Sequence, residues 1–318
     1  GYFRTDQGRP AFDEAFFPGY PLAVRALAWV TSWGQPDRAA LVIAGTLLTW
    51  AAALVAGVLL IQVATSMGHP APGLVAGAWF FGPYAWVTMA PYTEATFTAC
   101  ALATWLLARN DHWRWALVAG GVACSVRING LFLLPMLAVM ELTRERALGE
   151  RMSLRRLCSL GLPAVSAAAY SCYLWLATGD WRYWLDVQRE GWGREFHFLP
   201  DVISGSVGHV FDSPGAAESY QQVMELMFVA VFLVAVAWRI QQFRYELAAF
   251  SGLTLASLIG GPVLLSVPRN AWDCFPVLLA VSGIVGELPG RKRWAAFGIG
   301  VGLLILNTIT FVSNQWTG

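Results

Sequence analysis

The residues able to do chemistry are few in this chain and sit where charge is most costly. Glu94 follows Pro91, Tyr92 and Thr93 at a break between two apolar runs. Arg127 and Asn129, with Gly130, cut a third apolar run in half. Arg269 follows Pro268 at a further break, with Asp273 four residues on. An ionisable side chain in or beside an apolar membrane segment is expensive unless it faces a cavity or a partner, so each break is a candidate working site. Each also has a plain structural reading, because helix ends tolerate charge and an interfacial Arg extends its guanidinium to lipid phosphates. Together they point to an anion. A guanidinium binds phosphate oxygens through two parallel hydrogen bonds, and a pair of arginines at one end of a helical bundle is what a lipid-linked phosphate needs.

The polar connector 178–222 is the second informative stretch. Asp180, Trp181, Arg182, Tyr183 and Trp184, then Gln188, Arg189, Glu190, Gly191, Trp192, Gly193 and Arg194, interleave aromatic rings with charge. Such rings suit a membrane interface. They also suit a sugar platform, with Trp faces stacking on pyranose C–H groups while Asp, Gln and Arg take the hydroxyls. His197 and His209 lie in the same connector at a spacing that matches no metal motif. No Ser-His-Asp arrangement, phosphate loop, dinucleotide fingerprint or HExxH is present, which argues against hydrolase and ATP-driven readings. The absence of paired intramembrane carboxylates weakens a proton-coupled transporter.

What must position these residues follows from composition. Of 318 residues, 57% are hydrophobic and 13% charged, about half the ~25% charge of an ordinary soluble domain. The chain reads as an all-α, polytopic membrane bundle in a single domain spanning 1–318. A soluble enzyme, a disordered chain and a nucleic-acid binder are excluded together, the last by a net charge of only +1. At ~20 apolar residues per crossing, this length allows roughly eight or nine membrane segments, some of them short. The five cysteines lie in or beside apolar runs without pairing motifs and read as small buried hydrophobes. Tyr20–Trp33, interrupted by Arg25, reads as an interfacial helix. The run Trp115–Met140 reads as a half-depth hairpin turning at Arg127–Gly130, since neither half would cross an unthinned bilayer of ~30 Å. Basic loops at 141–156, 239–244 and 291–293 predict a cytoplasmic side, which leaves connector 178–222 and the turn 266–272 on the external face of a cell membrane.

These residues also resemble a known family. Phe16, Phe17, Pro18, Gly19, Tyr20 and Pro21 are similar to the FFPLYP signature of the phosphatidylinositol-glycan class V mannosyltransferases and their bacterial relatives. Pro91-Tyr92-Thr93-Glu94 resembles that family's APYTES box, and Arg127, Asn129 and Gly130 its R-x-N-G box. Gly179, Asp180, Gln188, Trp192, Gly193 and Arg194 resemble its G-D, Q and W-G-R loop. Pro268 and Arg269 with Phe275 and Pro276 resemble its R-Y and F-P ending, with Asn270 where Tyr is usual. The five boxes occur in order over nearly the whole chain.

The resemblance implies a glycosyltransferase of GT-C type, transferring a sugar, mannose above all, from a polyprenyl phosphate to a lipid or glycan acceptor, with inversion. It implies donor-phosphate contacts at Arg127, Arg194 and Arg269. Substrate contacts would fall at Tyr92, Asn129, Asp180, Gln188 and Trp192. A divalent cation is an open cofactor, with no metal ligands assigned. In such enzymes the main acid lies in a Trp-Asp box after the first span. No such box occurs here, so that acid is expected upstream of residue 1, with Glu94, Asp13 and Glu14 left as assisting candidates and residues 1–318 alone expected to be inactive. A transporter or flippase of a lipid-linked sugar is the competing expectation, since it would use the same arginines without chemistry.

Overall fold

The computed structural model describes residues 12–148, 154–193, 195, 197–212 and 216–313, and among them the regular structure is entirely helical. A 3-10 turn at Phe12–Ala15 leads into α1 (Gly19–Thr31), α2 (Arg38–Ser66), α3 (Pro72–Phe81), α4 (Trp86–Met89), α5 (Glu94–Arg109) and α6 (Trp113–Val126). A second 3-10 turn at Ile128–Phe132 precedes α7 (Leu133–Leu148), α8 (Leu154–Ser159), α9 (Gly161–Thr178), α10 (Tyr183–Trp192) and α11 (Leu199–Asp212). Then come α12 (Ala216–Gln241), α13 (Tyr245–Leu258), α14 (Val267–Asp273), α15 (Phe275–Glu287) and α16 (Gly290–Val312).

Local chemistry sets these boundaries. The Asp37 side chain accepts the Ala40 N–H at 2.7 Å and caps α2, satisfying one of the free amides at a helix start. Proline occupies the first turn of α3, α14 and α15, where its missing N–H costs nothing. The same residue type interrupts apolar runs at Pro83 and Pro91, dividing one hydrophobic stretch into α3, α4 and α5.

The bundle is apolar outside, and polar side chains are set within its apolar interior. Val42 and Leu54 on α2, Leu176 on α9 and Ile299 on α16 are exposed, whereas Thr49, Glu225, Glu246 and Asn307 are buried. That is the pattern of helices solvated by lipid, in which polar side chains join helices to one another. Among the described residues, four helical stretches are long and apolar enough to cross a membrane: Arg38–Ser66, Leu154–Thr178, Glu218–Gln241 and Gly290–Val312. The remaining apolar segments, expected to bring the number of membrane segments to eight or nine, are divided into shorter helices.

The expected turn within Trp115–Met140 is present, but its two arms do not close as a hairpin. α6 ends at Val126, Arg127 is extended, and α7 begins at Leu133. α6 packs against α5 and α9, while α7 packs against α13, because each arm finds its apolar neighbour elsewhere. Nor is connector 178–222 an irregular loop, since it holds α10 and α11.

The chain nonetheless goes out and returns over this stretch. At the start of α6, Trp113 donates to Ser159 at 2.9 Å. Beside it Asp111 accepts from Arg144 of α7 at 2.8 Å and from Arg156 of α8 at 2.5 Å. Arg109, one turn earlier, donates to the Ser66 carbonyl at the end of α2. This end of the bundle is rich in arginine and is called the basic end below.

Hydrogen bonds from Arg144 and Arg156 hold the Asp111 carboxyl below the ordinary aspartate range. Its stabilisation is therefore complete above that range and lost as pH falls through the depressed value. Asp111→Asn is expected to lower the melting temperature at neutral pH, with the gap from wild type closing in strong acid. Melts across pH in detergent check this, and a pH-independent gap would show that the charge on Asp111 is not what holds the turn.

Candidate functional site

At the end of the bundle opposite the basic end, three of the sequence breaks meet at one carboxylate. Glu94 opens α5 and is 0% exposed. Its Oε1 accepts from Arg127 Nη1 at 2.8 Å and from Arg269 Nε. Arg127 also donates from Nη1 to the Thr93 hydroxyl at 3.2 Å and from Nη2 to Asn270 Oδ1 at 2.9 Å. Asp273 Oδ2 stands 3.2 Å from Arg127 Nη1, at ion-pair distance but off the hydrogen-bonding direction. One oxygen thus carries two guanidiniums, while the Asp273 carboxyl lies at ion-pair distance from one of them.

Aromatic rings steer the same two arginines. The Arg127 guanidinium lies 5.8 Å from the centre of the Phe97 ring, and that of Arg269 lies 4.6 Å from the Tyr92 ring, distances at which the ring quadrupole attracts a cation. The arginine side chains keep 17% and 19% exposure while Glu94 and Asp273 keep almost none. The junction therefore presents its cations outward and its anions inward. Such a surface can receive a phosphate, which replaces nothing the carboxylates already hold.

The backbone here is held by specific devices. Arg127 is extended between α6 and the 3-10 turn, which swings its side chain away from the α6 axis and toward α5. Gly130 makes that turn possible: a Cβ there would lie 2.5 Å from the Cys124 amide nitrogen, a distance no side chain can occupy. Ser266, before α14, adopts a left-handed φ of 65°, a conformation that costs a non-glycine residue on the order of 1–2 kcal/mol. Glu225 of α12 offsets this by accepting the Ser266 and Val267 amides at 2.8 and 2.7 Å. The Asn270 amide then donates to the Ser266 carbonyl at 2.8 Å. Arg269 and Asn270 are thus aimed by a clamp on the turn before them.

A second cluster adjoins the first. Phe17 packs on Tyr170 and Trp184, with ring centres 5.1 and 5.8 Å apart. The Tyr170 hydroxyl donates to the Glu14 carbonyl at 2.8 Å, and Gln188 Nε2 to the Ala15 carbonyl at 3.4 Å. Ile128 and Leu131 pack on this cluster from the 3-10 turn. That turn touches the aromatic cluster with Ile128 and Leu131, and it carries Asn129 to 3.5 Å from Asn270.

Of the residues singled out from sequence, Glu94, Arg127, Arg269, Tyr92 and Asn129 come together at the junction. Gln188 and Glu14 belong to the adjoining cluster. Asp180 Oδ1 accepts the Arg182 amide at 2.8 Å and shapes the turn into α10. Arg194 and the side chains of Asp13 and Trp192 lie outside the described residues. Two carboxylates facing guanidiniums, with no cluster of three His, Cys, Asp or Glu among the described residues, do not make a site for a divalent cation.

Two further residues take part. Asn270, which stands where Tyr is usual in the resembled family, accepts from Arg127. Glu225 is the lone acid in the apolar stretch 223–238 of α12, and a lone acid in such a stretch is itself a signal.

Compared with protein-family models, curated proteins and solved structures, the chain matches none.

Removing one partner of a buried ion pair strands the others, a loss of about 3–5 kcal/mol, whereas an exposed pair contributes up to about 1 kcal/mol. Glu94→Gln is therefore expected to destabilise the detergent-solubilised protein far more than Asp186→Asn, which breaks the exposed 2.9 Å pair with Arg189. Denaturant unfolding of the two variants side by side is the measurement, and equal losses would show that the junction does not hold the bundle.

Proposed function

We propose that this chain is a membrane glycosyltransferase that moves a sugar from a polyprenyl phosphate to a hydroxyl of a lipid or glycan acceptor, working at the junction end of the bundle. Mannose is the sugar the family resemblance implies. The observation that carries the reading is the sharing of Glu94 by Arg127 and Arg269. These three belong to three separate sequence boxes, 33 and 175 residues apart, and have no helix in common.

The reaction is a single displacement. The acceptor oxygen bonds to the anomeric carbon, the bond from that carbon to the phosphate oxygen breaks, and its electron pair leaves with the polyprenyl phosphate. The acceptor proton passes to a base. Charge grows on the phosphate as it departs, and preorganised donors aimed at developing charge lower the barrier most. Arg127 and Arg269 fill this role, because Glu94, Phe97 and Tyr92 already hold their guanidiniums and no reorganisation is needed when the phosphate leaves. Glu14, Glu94 and Asp273 are at most 3% exposed, so none of them meets an acceptor hydroxyl, and Glu94 and Asp273 lie against guanidiniums instead. Glu94 is a positioning residue in this reading. The aromatic cluster around Phe17, Tyr170 and Trp184, continuous with the 3-10 turn, suits the sugar or acceptor side of the reaction. By the excess of arginine in short loops the basic end is cytoplasmic and the junction faces outward.

The test is label transfer from polyprenyl-phosphate mannose into a lipid or glycan product, in membranes of cells expressing the gene. Arg269→Ala and Arg127→Ala are expected to lower kcat/KM by about 10²–10³-fold, the size of effect seen when one donor to a developing oxyanion is removed. Arg269→Lys should recover little, since an ammonium lacks the two-pronged geometry. Wild-type turnover in both alanine variants would remove the two arginines from the reaction. Passage of the intact lipid-linked sugar across the bilayer with no label transfer would make the protein a flippase.

A further inference from the structure

The basic end contains a second candidate site, unrelated to the junction. A cavity of about 320 Å³ lies between the end of α2, the α12–α13 turn and α15, lined among others by His69, Trp238, Arg239, Gln242, Arg244 and Glu287. Gln242 is exposed and Arg244 half-buried, so they form its mouth. Arg239 is only 4% exposed. Its guanidinium donates to Gln242 Oε1 at 2.8 Å and to the Pro276 carbonyl at 3.3 Å, and its Nε has no partner.

Among the described residues no carboxylate comes within 4.0 Å of Arg239. Glu246, at the start of α13, faces Arg244 at 4.0 Å. Arg109, across from Arg244, is occupied by the Ser66 carbonyl and lies over the Trp105 ring. His69 accepts the Ala71 amide at Nδ1 and meets Ser282 at Nε2, so a proton on Nε2 leaves the ring neutral. Three cations, Arg109, Arg239 and Arg244, thus face two acids, Glu246 and Glu287. A buried guanidinium without an anion carries a desolvation penalty that neutral acceptors only partly offset, and a polar cavity opening beside it admits the missing charge.

We propose that this cavity binds a phosphate group, with Arg239 and Arg244 supplying the charge and Gln242 a neutral contact at the mouth. Phosphate geometry fits because guanidinium offers parallel donors to two oxygens. The group can arrive as the headgroup of an anionic membrane lipid, since basic pockets at the ends of membrane helices attract such headgroups, or as free inorganic phosphate.

The two sources separate experimentally. The purified chain is placed in nanodiscs of phosphatidylcholine alone or of phosphatidylcholine with phosphatidylglycerol, and thermal unfolding is followed with and without inorganic phosphate. A rise in melting temperature with phosphatidylglycerol alone identifies a lipid headgroup, and a rise with inorganic phosphate in phosphatidylcholine identifies the free anion. Either effect should shift to about tenfold higher ligand in Arg244→Gln, as expected for a lost charge-assisted pair. Gln242→Glu, an exposed change that places a carboxylate at the mouth, should weaken it similarly. These two variants keep the test intact if Arg239→Gln fails to fold. Arg38→Gln, exposed at the opposite end of α2, should leave the effect in place. No stabilisation by either ligand shows a cavity filled by water alone, and stabilisation that survives Arg244→Gln or vanishes in Arg38→Gln places the anion elsewhere. Each of these results overturns the proposal.

Discussion

One carboxylate oxygen, Oε1 of Glu94, is the point on which the junction end of this bundle depends. It accepts from two arginines carried by different elements, Arg127 from the break after α6 and Arg269 from α14. In a lipid-solvated bundle there is little hydrophobic force to hold helices together, so packing and interhelical hydrogen bonds carry the association. A shared buried anion is therefore structural and functional at once. It ties α5, the 3-10 turn and α14 together, and the same bonds fix where two cations face outward. The cost of burying Glu94 is offset only while both arginines are in place, so the geometry of the site and the integrity of this end of the bundle are one property.

Around that point, the architecture follows from interruptions. Each functional side chain sits at the end of a helix and not in its middle: Glu94 after the Pro91 break, Arg127 at the extended step, Arg269 after the clamped Ser266 turn. Backbone that leaves the helical path in a membrane must find hydrogen-bond partners within the protein. The Glu225 carboxylate on two amides, and the Thr98 hydroxyl on the Asp273 carbonyl at 3.2 Å, are such partners. The broken helices that bring the charged residues inward are thus stabilised by further polar residues one layer out.

Much of this was legible in the sequence, and the reason is contrast. Against a background with 13% charged residues, Glu94, Arg127 and Arg269 stand out at breaks, and the out-and-return path between 113 and 148 follows from where the arginines cluster. The lengths of the helices were less legible. A hydropathy window runs through Pro83 without registering that the helix stops, so the division of that stretch into α3 and α4 has no sign in composition. The meeting of Arg127 with Asn270, 143 residues apart, has no local sign at either position. Glu225 was visible in principle, as an acid in an apolar run, but its role as a clamp depends on a left-handed turn that composition does not encode. The helices within 178–222 were hidden by polarity, since an amphipathic surface helix and a solvated loop share much of their composition.

The 3-10 turn Ile128–Phe132 has a consequence for how this sequence can change over generations. Five residues abut the aromatic cluster on one side through Ile128 and Leu131, and on the other reach the ionic junction through Asn129 and, immediately before the turn, Arg127. Gly130 in their midst has no room to adjust. A change of volume at Phe17 or Tyr170 is therefore passed through a rigid five-residue lever to the guanidinium of Arg127. Segments from the beginning, middle and end of the chain are thereby bound to vary in concert, and a substitution tolerated in one is conditional on the residue present in another.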